Sequence, residues 1–227
     1  MKLSKRLLTV AQRVRPGSIC ADVGTDHGYL AAWLAKEKNC PLVYASDINR
    51  GPLEAAKRTV ENYQVQQAVH LVLSDGMQSL PVERIDDIVI AGMGGDLIAQ
   101  LIEAEPRVRD SSKQLILQPM TKAAELRKAL YRMGFEIDRE IVVEDRRFVY
   151  TVMSVYYCGK QREIDDWFAL VGKVDPQLGG SYFGKLKKTE LKKAEGYRKA
   201  GNHCWKEHQK LAERLELMGK EEEYGND

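Results

Sequence analysis

Cys20-Ala-Asp-Val-Gly-Thr-Asp-His-Gly-Tyr-Leu30 reads as the end of a buried strand, a tight glycine turn and the first turn of a helix. Asp22 ends the strand, Gly24 lets the backbone turn sharply, and Gly28 permits close approach of helix to sheet. That is the layout of a nucleotide-cofactor site in a doubly wound α/β fold. A lone glycine turn says little, so the weight falls on the strands downstream of it. Two more acidic strand ends arrive in order: Asp47 closes Leu42-Val-Tyr-Ala-Ser-Asp47, and Asp75 stands in Val69-His-Leu-Val-Leu-Ser-Asp-Gly76.

Upstream of the turn, Leu3, Leu7, Val10, Ala11 and Val14 recur at helical spacing and predict an amphipathic helix over residues 2–14, ended by Pro16-Gly17. Downstream, the spacing predicts helices over 28–38 and 52–63, with Pro52 in the first turn of the second. A strand over 69–74 comes next, then Asp86-Asp-Ile-Val-Ile-Ala-Gly-Met-Gly-Gly95, whose glycine-rich end opens a helix over 96–105. Lys113 to Pro119 reads as a fifth strand, and Thr121 as the cap of a helix reaching Met133. Short apolar strands alternating with helices predict a parallel sheet covered on both faces.

The pattern then changes. Phe135 to Glu144 and Phe148 to Tyr157 are separated only by Asp145-Arg-Arg147, too short for a helical crossover, so the two strands must pair antiparallel. A mostly parallel sheet closed by such a hairpin distinguishes methyltransferases using S-adenosylmethionine from nicotinamide dehydrogenases. Gly24-Thr-Asp-His-Gly28 also breaks the GxGxxG spacing of a pyrophosphate site. The expected fold is therefore a Rossmann-like methyltransferase sheet over residues 1–160. Residues 161–227 form a helical hairpin, with one stripe of Phe183, Leu186, Ala194 and Tyr197, and another of Trp205, His208, Leu211, Leu215 and Met218. Gly201-Asn202 parts the two helices, and the acidic tail from Glu221 is expected to fray.

At 227 residues, with 44% hydrophobic and 30% charged, the chain suits one packed domain with an appendage. No stretch approaches the roughly 20 apolar residues of a membrane span, so a cytoplasmic protein with no membrane partner is expected. The scattered Cys20, Cys40, Cys158 and Cys204 suggest neither a disulfide framework nor a zinc knuckle, and the four histidines form no ligand pattern, so no metal is expected. A net charge of +2 is unremarkable, but its distribution is not. Lys2 to Arg15 holds five basic residues and no acidic one, and Lys185 to Lys199 seven basic against two acidic. Each patch is either a solvated helix face or a phosphate-binding surface.

The strand-end acids carry specific chemistry. A carboxylate after the second strand accepts from both ribose hydroxyls, and Asp47 lies 23 residues after Gly24, about the offset such an acid takes. Asp75, followed by Gly76, is placed to accept from an adenine amino group. Each aspartate alone is a common turn former, but three at successive strand ends argue for a cofactor site. The expected cofactor contacts are Asp22, Gly24, Thr25 and His27 from the first turn, Asp47 and Ile48 from the second, Asp75 and Gly76 from the third, and Gly92 and Met93 from the fourth.

The run Ala21 to Leu30, together with Ser46-Asp-Ile-Asn49, Ser74-Asp-Gly76, Ala91-Gly-Met-Gly-Gly95 and Gln118-Pro-Met120, resembles the bacterial tRNA adenine-N1-methyltransferases of the TrmK family, which modify adenine 22 in the D-arm region. The resemblance runs to about Tyr157, departs mildly at Gly28, where many relatives carry Ala, and fits the family's helical extension. It implies S-adenosylmethionine as cofactor, tRNA as partner and a base flipped into the pocket. Asp26 then orients the target adenine through its amino group and steadies the cationic product, or merely caps the helix near Gly28. His27 touches the cofactor or satisfies a loop carbonyl; Tyr29 stacks on a base or joins the core. Gln118 reads an adenine edge or caps its strand. The fourth strand lacks the Asn/Asp-Pro-Pro-aromatic pattern of exocyclic amino methylation; Gly94 and Pro119 border the substrate instead, and Lys185, Lys187, Lys188 and Lys192 hold the tRNA backbone. The expected assembly is a monomer or weak dimer. A methyltransferase acting on a small molecule or protein, and a non-catalytic tRNA-binding module, are the competing readings.

Overall fold

Ser4 caps the first helix in the computed structural model, which describes residues 2–220. Its Oγ accepts from Leu7 N at 3.2 Å and so starts α1, Lys5–Arg13, three residues later than the apolar spacing predicts. Then come β1 (Cys20–Val23), α2 (Tyr29–Glu37), β2 (Val43–Asp47), α3 (Arg50–Asn62) and β3 (Val69–Leu73). The second half of the sheet is built from β4 (Asp87–Gly94), α4 (Gly95–Glu103), β5 (Gln114–Thr121), α5 (Ala123–Arg132), β6 (Phe135–Asp145) and β7 (Phe148–Tyr157). A short α6 (Asp166–Val171) leads to α7 (Gly180–Lys199) and α8 (Trp205–Lys220). The acidic tail lies outside the described residues.

The seven strands lie in the order β3-β2-β1-β4-β5-β7-β6, parallel up to β5, with β7 antiparallel to both β5 and β6. The reversal of strand order beside β1 places the carboxyl ends of β1 and β4 side by side, where α/β sheets hold ligands. Along β4, Ile88 and Ile90 face the core under α4 and α5, while Val89 faces the opposite core under α1 and α2. A strand buried on both faces explains the unbroken apolar run.

Three local expectations are corrected. Thr121 caps no helix: it stays in the ladder opposite Gly94, and Lys122, in a left-handed conformation, precedes α5. Gly28 serves helix-to-helix rather than helix-to-sheet packing, because a Cβ there would stand 2.8 Å from Ala56 Cβ on α3. Tyr197 is not on the buried stripe of α7; it is exposed and stacks on the His208 ring at 5.2 Å, while Tyr182 and Glu190 are buried instead.

The antiparallel α7–α8 hairpin is tied to the sheet by a third apolar cluster, in which Tyr182, Phe183 and Leu215 pack against Val142 of β6 and Val149 of β7. Beside it lies a buried ion pair: Arg127 Nε and Nη2 donate to the two carboxylate oxygens of Glu140 at 2.9 and 2.6 Å. Arg127 also donates to the Ala169 carbonyl at 2.7 Å and the Tyr182 hydroxyl at 3.0 Å, which joins α5, β6, α6 and α7 at one point.

Candidate functional site

The first turn is pinned to the neighbouring strand, since Gly24 N and Thr25 N both donate to the Ser46 carbonyl at 2.8 Å. Inside it, Thr25 Oγ1 donates to Asp22 Oδ2 at 2.7 Å. Asp22 is buried, and burial pushes its pKa up to about 6; the Thr25 bond pulls the other way and the Asp47 charge adds to the rise. A buried carboxylate poised near neutrality fits a cationic ligand group.

Two cavities adjoin along the carboxyl edge. One, of about 180 Å³, has the side chains of Asp47, Asp75, Ile48, Leu97 and Leu101 around it. The other, of about 320 Å³, is bordered by Asp22, Thr25, Asp26, His27, Tyr29, Gly92 and, from α1, Arg6 and Leu7. Gly24 and Met93 line both. Met93 lies across the Gly24 α-carbon so closely that a Cβ there would collide with its methyl group. That side chain stands between an apolar slot with two carboxylates and a polar cleft beside it.

The donor set suits S-adenosylmethionine. Asp47 Oδ1 already accepts from Asn49 N at 2.8 Å, which fixes the carboxylate at the strand end with its other oxygen available to a diol. Ile48 and Leu97, both strongly exposed apolar side chains, offer walls for a planar base. Asp22 offers a charge partner for an ammonium group.

Asp26 stands at the mouth of the larger cleft, 87% exposed, with His27 Nε2 3.6 Å away and the Tyr29 ring 5.9 Å beyond the imidazole. It does not cap α2: Gly28 holds the cap position and no side chain bonds there. Tyr29 is likewise exposed rather than in the core.

Gln118 is engaged in hydrogen bonds within the fold. It is fully buried, its Oε1 accepts from Gly92 N at 3.1 Å and Arg6 Nη1 at 2.5 Å, and its Nε2 donates to the Pro119 carbonyl at 3.0 Å. Its amide oxygen holds the backbone at Gly92, which has a left-handed conformation. Gly94 and Pro119 line neither cavity; they belong to the irregular β4–β5 pairing. Lys185 donates to the Val149 carbonyl of β7 at 2.6 Å, with burial pushing its pKa down, and Lys187 pairs with Glu216 of α8 at 3.2 Å. Lys188 and Lys192 carry no such bond among the described residues.

Arg6 is a polar residue of the cleft that sequence reasoning missed, as it missed the apolar Leu7, Leu97 and Leu101. The basic α1 was legible, but not its return across the sheet edge, which is fixed by Arg6 N donating to Asp145 Oδ2 at 3.4 Å and by Val10 and Val14 in the core. Among the described residues no helix is long and apolar enough to cross a membrane, and no cluster of three or more metal-ligating side chains occurs.

Residues 3–153 match the methyltransferase domain family. A Bacillus subtilis tRNA (adenine(22)-N(1))-methyltransferase is 35% identical over 153 residues; the match takes in 67% of this chain and 64% of that enzyme, so the chain spans just under two thirds of that relative. The crystal structure of the B. subtilis M1A22 tRNA methyltransferase TrmK superposes with a TM-score of 0.81 at 28% identity, covering 97% of this chain and 99% of that one. A Streptococcus pneumoniae protein solved in complex with S-adenosyl-L-methionine gives 0.79 at 26% identity, covering 94% and 99%. In fold, motif order and matched residues, the chain belongs to the methyltransferase domain family, among the relatives of the bacterial tRNA (adenine(22)-N(1))-methyltransferases.

Proposed function

We propose that this enzyme methylates N1 of adenine 22 in tRNA with S-adenosylmethionine as methyl donor, as a monomer or weak dimer in the cytoplasm. The observation that carries the reading is the row of Asp22, Asp47 and Asp75 around two cavities that meet at Met93, with Asp26 at the open end. Asp47 and Asp75 hold the ribose and adenine ends of the cofactor, with Ile48 and Leu97 on the ring faces; Asp22, Gly24, Thr25 and His27 hold its amino-acid end. Bound there, the cofactor supplies an electrophilic sulfonium methyl.

The chain's own work is positioning. Adenine N1 carries an in-plane lone pair at neutral pH, so no residue has to remove a proton before attack. Asp26 accepts from the target's amino group, which turns N1 inward, and its charge offsets the positive charge gained by the ring. The alkyl edge of Met93 and the open backbone at Gly92 shape the floor. Residues 1–160 carry the chemistry, and residues 161–227, with α1, hold the tRNA.

The raised pKa of Asp22 has a measurable consequence. A cationic ligand group selects the ionised carboxylate, so the dissociation constant of S-adenosylmethionine is expected to fall with rising pH, by up to about tenfold per unit below pH 6, and to level off above it. Calorimetric titration at fixed ionic strength from pH 4.5 to 7 checks this, and Asp22→Asn flattens the curve. Stability of the ligand-free protein runs the opposite way. The folded pKa lies above the unfolded value, so this contribution is fully present below about pH 4 and is lost as pH rises through about 6.

The substrate class is tested by incubating the enzyme with methyl-labelled cofactor and a cell extract, then separating RNA, protein and small molecules. Label in the tRNA fraction supports the proposal. Label in protein or small molecules with none in tRNA overturns it.

A further inference from the structure

Beside the site, between the β6–β7 turn and α7, runs a groove of about 820 Å³. Arg146, Arg147, Lys188 and Lys192 line it against a single carboxylate, Glu144. None of these four cations is in an ion pair among the described residues, in contrast to Lys187 on the same helix, while Lys185 is held by a backbone carbonyl. Their charge is therefore available to a ligand. Arg146 also holds a positive φ of 57°, a conformation for which glycine or asparagine is the easier choice, so a cation occupies the tip at a conformational cost.

Phe148 stands in the same groove and is 48% exposed. It is not a loose surface side chain: its backbone pairs with Asp145 in the ladder, the Arg147 guanidinium lies 5.0 Å from its ring centroid, and the Tyr150 ring lies 6.1 Å away. A rigid aromatic flanked by unpaired cations is the arrangement that stacks an unpaired base while the cations follow the sugar–phosphate chain. The groove is also linked to the cleft. Asp145 at the turn accepts from Arg6 N, and Arg6 reaches the Gln118–Gly92 support of the reaction site.

We propose that the β6–β7 turn and α7 form a second RNA subsite, in which Phe148 stacks an unpaired nucleotide of the substrate and Arg146, Arg147, Lys188 and Lys192 bind the adjoining phosphates. This rests on the tRNA reading above and adds to it a base-stacking point outside the methyl-transfer pocket. The interior of a tRNA helix does not satisfy it, because a base stacked between its neighbours has no free face; the subsite takes a loop or bulge nucleotide near the target.

Binding of an unmodified tRNA transcript to the full-length enzyme tests this, over a range of salt concentrations, for wild type, Phe148→Ala, Phe148→Trp and the triple variant Arg146→Ala/Lys188→Ala/Lys192→Ala. Affinity for S-adenosylmethionine and the melting temperature, measured alongside, show that each variant is folded. Phe148→Ala is expected to bind tRNA about 5- to 100-fold more weakly, and Phe148→Trp to bind as wild type does. The triple variant is expected to lower the slope of log affinity against log salt by about 2. Wild-type affinity and salt slope in Phe148→Ala and the triple variant overturn the subsite alone. A wild-type enzyme that binds no tRNA overturns both the subsite and the reading on which it rests.

Discussion

Asp26→Ala is expected to lower turnover on saturating tRNA by about a hundredfold or more while changing S-adenosylmethionine affinity little. The carboxylate is 87% exposed in the free protein, where water screens its charge, so it contributes little to cofactor binding. Once a base fills the mouth and water leaves, the same charge acts across a lower dielectric, at the moment the ring becomes cationic. An effect confined to turnover marks a group that works on the reacting state. Asp26→Asn keeps an acceptor for the amino group but loses the charge, and its expected loss is smaller, about tenfold. Single-turnover kinetics at saturating tRNA and cofactor separate these. Turnover of Asp26→Ala within about twofold of wild type removes Asp26 from the chemistry.

Arg127→Ala is expected to have the largest effect on stability. It leaves Glu140, whose side chain is fully buried, with Lys173 N at 3.0 Å as its remaining hydrogen-bond donor among the described residues. An uncompensated buried charge of this kind costs about 3–5 kcal/mol. Urea unfolding of the single variant should show that loss, and Arg127→Met combined with Glu140→Leu should recover most of it, because the pair then leaves together. The single variant should also weaken tRNA binding more than cofactor binding, since Arg127 reaches Tyr182 and α6 while touching neither cavity. A destabilisation under about 1 kcal/mol contradicts the network's structural role.

The fold was legible because its signals are local and ordered. Continuous apolar strands require two covered faces, and the three-residue link at Asp145-Arg-Arg147 leaves no topology but a hairpin. Asp22, Asp47 and Asp75 were legible for the same reason, since parallel strands wound from one centre bring their carboxyl ends to one edge. The features that escaped the sequence are set by contacts distant along the chain. Arg6 and Gln118 are 112 residues apart and meet only because α1 folds back over the carboxyl end of β5, which engages the Gln118 oxygen within the fold. Lys185 and Lys187 read like Lys188 and Lys192 in sequence; only the packing of α7 on β7 and α8 ties Lys185 to a backbone carbonyl and Lys187 to Glu216, while Lys188 and Lys192 line the groove without an ion pair among the described residues. Glu190 breaks the apolar pattern of α7, yet it is buried because His208 at 2.6 Å and Lys193 at 2.7 Å satisfy its carboxylate.

The identity and position of the transferred methyl group decide between adenine 22 and every other target. Unmodified tRNA carrying adenine 22 is incubated with the full-length enzyme and S-adenosylmethionine, digested, and its nucleosides identified by mass spectrometry, with a reverse-transcription stop to map the position. The expected product is 1-methyladenosine at position 22, with none in a transcript carrying guanine there. A methyl group on another nucleoside, or unmodified tRNA recovered from an enzyme shown to bind the cofactor, contradicts the proposed function.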